Sequence, residues 1–156
     1  MIESLTIRPV SNQALIADFE QGRAPEPFHH ADHVRVAFAY VSEFPLLDAI
    51  AKFSGALRRF ALAKGKLHLY HETITWAYLL LIHERMARDP GLPGLPHSPS
   101  PHPSPGQISW EEFSERNRDL LAWKGGVLER YYSRATLGSE LARRVFVLPD
   151  RGADAA

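Results

Sequence analysis

The sequence predicts an all-α fold, a single-domain helical bundle of about five to seven helices built around one buried helix. Apolar residues recur at helical spacing in several separate segments, and one of these, residues 74–82, is apolar nearly all the way round, as expected of an element covered on most sides. No segment offers the alternating partners of a sheet. A length of 156 residues suits one domain over 1–156.

Bulk properties narrow the function classes. Lys+Arg and Asp+Glu both number 18, so there is no overall field to hold a polyanion and nucleic-acid binding is not expected. Cysteine is absent, which removes disulfides, thiolate metal ligands and cysteine nucleophiles, so any metal must use nitrogen and oxygen. Met1 to Arg8 lacks the basic and apolar regions of a signal peptide. The run Trp76 to Ile82 is far shorter than the roughly 20 residues that span a bilayer. A cytoplasmic protein with no membrane partner is therefore expected.

Residues 1–10 read as extended or a short strand ending at Pro9. Ser11 suits the N-cap of a short helix through Leu15, Ile16 and Phe19, stopped by Gly22, and Ala24 to Pro27 is a loop. Phe28 to His33 leads into a helix that closes at Phe44-Pro45, with Val34, Ala37, Phe38 and Val41 as its inner row. Continuing that row backwards reaches His30, with His33 on its edge, whereas His29 falls toward Val36 and solvent. The next helix runs from about Leu46 to Lys64, with Leu47, Ile50, Phe53 or Ser54, Leu57 and Phe60-Ala61 inward and Gly65 as its stop. Arg58, Arg59, Lys64 and Lys66 in or beyond its last turns complement the helix dipole, or form a basic pocket for an anionic substrate.

The buried helix covers about Tyr70 to Arg88. Residues 89–107 form a Pro-rich loop, with seven prolines at two- or three-residue intervals. His97 and His102 lie in it and are set aside, since such a tract holds ligand geometry poorly. Ser109 with Glu112 matches a capping box opening a helix to about Trp123, broken by Gly125-Gly126. Val127 to Ser133 and Ser139 to Val147 are further short helical pieces before a frayed tail.

Chemistry concentrates where polar residues interrupt the apolar helices. His30 and His33 lie one turn apart on one face, so both imidazoles can point at one ion roughly 2.0–2.1 Å away. His71 at the start of the buried helix is the natural third ligand. Glu72 points roughly 100° away from His71 and suits a fourth ligand, a second-layer partner or a general base. His83, 12 residues beyond His71, lies roughly 18 Å along the axis and is assigned to structure. Phe28, Tyr70, Thr75 and Trp76 are the candidate substrate pocket; packing would explain the two larger aromatics, and a bond back to a helix carbonyl would explain Thr75. Asp32 suits a helix N-terminal charge.

Phe28-x-His30-x-x-His33-Val34-Arg35-x-Ala37, the block Tyr70-His71-Glu72-Thr73-Ile74-Thr75, and Tyr131-Tyr132-Ser133 through Ala142-Arg143 to Phe146-Val147-Leu148-Pro149-Asp150 resemble a group of small bacterial all-α proteins. The resemblance covers about Phe28 to Asp150 apart from the Pro-rich insert. A looser similarity is to helical-bundle metalloproteins of the DinB type, which gather three histidines around one divalent ion, although these spacings do not match that pattern residue by residue.

The function expected first is a metal-dependent enzyme acting on a small molecule, hydrolytic or oxidative, with His30, His33 and His71 holding Zn, Fe, Mn, Ni or Cu and with His71 and Glu72 in catalytic roles. The alternatives are a metal-independent enzyme, in which His71, Glu72 and His33 transfer protons in an apolar pocket, and a non-catalytic protein that binds a metal or small ligand.

Overall fold

A computed structural model of the protein describes residues 10–24, 26–88, 108–123 and 126–152. The expected N-terminal strand, apart from Val10, and the Pro-rich loop, with His97 and His102, lie outside these residues. Seven α-helices and no strand occur among the described residues, so the domain is all-α.

Helix α1 spans Asn12–Glu20, and the Ser11 hydroxyl accepts the Ala14 N–H at its start. It ends where Gly22 turns the chain at φ 72°, a conformation that side chains with a Cβ resist. Helix α2 spans His30–Glu43, with the Asp32 carboxylate accepting the His29 N–H at 2.8 Å, the N-terminal role expected of it.

The predicted inner row of α2 is buried, but so are Val36, Ala39 and Tyr40. The side expected to face water is covered by α1, as the bonds from Tyr40 to Glu20 and from Arg35 to Asn12 record. α2 therefore shares the centre of the fold with the helix predicted to hold it alone.

Helix α3, Leu46–Ala63, buries Ala49, Ile50, Phe53, Ala56 and Leu57 along one face. Leu46, not Leu47, continues that face; Leu47 is 79 % exposed. Gly65, at φ 68°, turns the chain into a short 3-10 turn at Leu67–Leu69. Helix α4 follows at Glu72–Ala87 and packs on α2 and α3. His83 is exposed on it.

Helix α5, Trp110–Arg116, starts at Ser109 as predicted, with the Ser109 hydroxyl accepting the Glu112 N–H. It stops well before Trp123 because the Asn117 side-chain amide donates to the Phe113 carbonyl that the next backbone N–H would have used. A 3-10 turn at Arg118–Leu120 and another at Val127–Arg130 replace the continuous helices expected there. Helices α6 (Arg134–Leu137) and α7 (Glu140–Arg144) close the chain, capped by Ser133 and Ser139. α7 lies against α4.

Two aromatic groups fill the interior. Phe19 stacks between Phe28 and Phe53 and meets Phe60 at 5.3 Å, while Phe38 packs on Trp110 and Phe113. Burying each such ring contributes about 1.5–3 kcal/mol. Arg85 on α4 clamps Asp119 through two parallel bonds of 3.1 and 2.8 Å and also donates to Asn117, fixing the 117–120 segment across the core.

Candidate functional site

A cavity of about 1480 Å³ opens between the starts of α2 and α4, the second half of α3 and the segments that follow α5. Its lining is mostly apolar, with Phe28, Leu57, Phe60, Tyr78, Trp123 and Leu137 among the larger side chains. His30, His33 and His71, chosen from sequence, all border it, as do Phe28, Tyr70 and Thr75. Glu72 and Trp76 do not.

The three histidines differ in what they have left to offer. The ring of His71 lies at the N-cap of α4: its Nδ1 accepts the Ile74 N–H at 3.1 Å and its Nε2 donates to the Leu137 carbonyl at 2.7 Å. That pair of bonds fixes one neutral tautomer and uses both nitrogens. Burial, with Arg143 nearby, holds its pKa below the usual imidazole value despite the bond to Leu137. His30 donates Nε2–H to the Leu120 carbonyl at 2.9 Å, which leaves its Nδ1 as an open lone pair, and it packs between Tyr78 and Trp123. Burial lowers its pKa too.

The His33 ring makes no hydrogen bond to a described residue. Its ring lies 4.3 Å from that of Phe28, centroid to centroid. Burial first, and then the neighbouring His30, push its pKa down to about 4 against the pull of Asp32, so the ring is neutral across the physiological range. A neutral imidazole with two unused nitrogens is one donor and one acceptor facing an apolar space.

The block around His71 is otherwise occupied with structure. Glu72 pairs with Arg58, away from the cavity. The Thr73 hydroxyl, fully buried, donates to the Val145 carbonyl at 2.8 Å and accepts the Val147 N–H at 3.1 Å, standing in for a strand partner of the C-terminal segment. Thr75 donates to the His71 carbonyl at 2.7 Å, the bond back along the helix anticipated for it. Trp76 stacks on Phe146 at 5.3 Å, on another side of α4, so its ring packs rather than lines the pocket. Tyr70 lines the cavity under the Arg58 guanidinium, 4.9 Å from its ring; its hydroxyl is buried and has no hydrogen-bond partner among the described residues.

Among the described residues, no group of three or more His, Asp or Glu side chains converges closely enough to hold a metal ion. The predicted triad shares a cavity wall, but His71 would have to give up its helix cap and its bond to Leu137 before it could present a lone pair.

Several lining residues were not singled out from sequence. His29, expected to face solvent, also borders it, as do Tyr78, Leu121, Trp123, Leu137 and Arg143; Lys64 and Lys66, read from sequence as helix-end charges or a basic pocket, line it too. The cluster of cations after α3 was a visible signal for Lys64 and Lys66. No local signal marks Arg143, which reaches the site by donating to the His68 carbonyl 75 residues earlier in the chain. No protein-family model, no curated protein and no solved structure matches the chain.

Proposed function

We propose that the protein binds a small, predominantly apolar molecule in the cavity between α2, α3 and α4, with His33 and the open Nδ1 of His30 as the hydrogen-bonding groups that orient it. The carrying observation is His33: a neutral imidazole with both nitrogens unbonded, set against the Phe28 ring in a cavity of about 1480 Å³. Apolar walls with a few convergent polar groups are the usual make-up of a small-molecule site.

Binding is favoured over proton transfer by the pKa of about 4 at His33, because a general base works best when its pKa lies near the working pH. It is favoured over a metal centre by the engagement of both His71 nitrogens. The test is fluorescence titration with the neutral probe N-phenyl-1-naphthylamine, on the natural chain and on Ala61→Trp, which puts an indole at a lining position of α3. Enhanced, saturable fluorescence that is lost in an Ala61→Trp protein of unchanged melting temperature is the expected result. Absence of saturable binding to the natural chain would overturn the proposal.

A further inference from the structure

The cavity carries its charge at one end. Lys64 and Lys66 border it from the turn after α3, and Arg143 from α7; the 2.8 Å bond from Arg143 to the His68 carbonyl brings the two segments together. Glu26, the one carboxylate in the lining among the described residues, is paired with Lys64. Lys66 and Arg143 have no ion-pair partner among the described residues. Among the described residues this mouth therefore has two more positive charges than negative ones, and burial keeps the adjacent His71 neutral.

The other end, along α4 from His71 to Tyr78, is lined by Val34, Ala37, Tyr78, Leu121 and Trp123, with no charged side chain among the described residues. An anion placed there would lose its hydration without compensation, whereas at the mouth it stays partly solvated between two cations.

From this asymmetry we infer that the ligand is an amphipathic organic acid: a monocarboxylate whose anionic group sits at Lys66 and Arg143 and whose alkyl or aryl body extends toward Tyr78 and Trp123. The inference rests on the cavity being a ligand site, and the test separates the two. Decanoate and 1-decanol share an apolar body and differ in charge, so each is titrated in mildly alkaline buffer as a competitor of bound N-phenyl-1-naphthylamine.

Decanoate is expected to compete about tenfold more tightly than 1-decanol, an advantage of the size that one or two charge-assisted contacts at a half-exposed site supply. That advantage should shrink severalfold in Lys66→Gln, on an exposed turn where folding is not at stake, and vanish in Lys66→Gln/Arg143→Gln. Equal affinities for the two competitors, or an advantage that survives the double variant, would overturn the assignment of ligand class while leaving the cavity as a binding site. If neither competitor displaces a probe that does bind, the ligand class falls alone; if the probe itself does not bind, both proposals fall.

Discussion

Two helix starts, Phe28 to His33 before and within α2 and Tyr70 to Thr75 at α4, carry the same kinds of residue and do opposite things. At α4 every polar group from His71 to Thr75 is committed: to the Ile74 N–H, to the carbonyls of Leu137, Val145 and His71, to the Val147 N–H and to Arg58. At α2 the imidazole of His33 is committed to nothing and that of His30 is half committed. A polar residue inside an apolar helix is a clue to function only after its hydrogen-bonding valences have been counted. The count makes one start a clasp and leaves the other with open hydrogen-bonding valences, the groups we propose orient a ligand.

The largest effect that sharpens this contrast is on pH dependence. His33 titrates near 4 in the folded chain and near 6.5 when unfolded, so between those values the unfolded state binds more protons and stability rises with pH. Chemical denaturation at pH 4.5 and pH 7 should differ by about 2.4 kcal/mol from this residue, and His33→Leu should remove that part of the slope. A slope unchanged in His33→Leu would mean that the ring is not held neutral, and the contrast would fail.

Next comes Thr73→Val, which keeps the shape and deletes both bonds to the C-terminal segment. It should cost about 2 kcal/mol in denaturant unfolding and leave probe affinity within twofold. A loss of affinity with stability intact would reverse the roles assigned to the two regions. Smaller again is His71→Asn, which retains a capping oxygen for Ile74 but cannot span the distance to Leu137. A cost of about 1 kcal/mol, seen as a lower denaturation midpoint, is expected, against about 2 kcal/mol for His71→Ala, which loses the cap as well.

Much of the helical framework was legible in the sequence because its signals are local. Ser11, Gly22, Gly65 and Ser109 mark ends that the fold uses as written, and the rows on α2 and α3 predict which faces are buried, with Leu47 the exception. Local signals failed where a partner far along the chain decided the outcome. Val36 is buried because α1 returns over it, and α5 ends early because Asn117 turns its amide onto Phe113. At the site, spacing found His30, His33 and His71 but not the difference between them, since the carbonyls that engage two of the three rings lie 90 and 66 residues away. Trp76 and Glu72 were drawn toward the pocket by proximity in sequence, whereas helical geometry turns them to Phe146 and Arg58.

The clasp at Thr73 and His71 also ties occupancy of the cavity to the integrity of the chain's last segment. Leu137 and Arg143 are wall residues, and the stretch that carries them is held to α4 by a few polar bonds, by the stack of Phe146 on Trp76 and by the buried Ala142. Local opening of that stretch dismantles the wall, so a ligand that needs the wall resists the opening: at a hundred times its dissociation constant it adds about 2.7 kcal/mol to the free energy of detachment. The C-terminal segment thereby becomes a reporter, whose amide hydrogens exchange more slowly the more completely the cavity is filled.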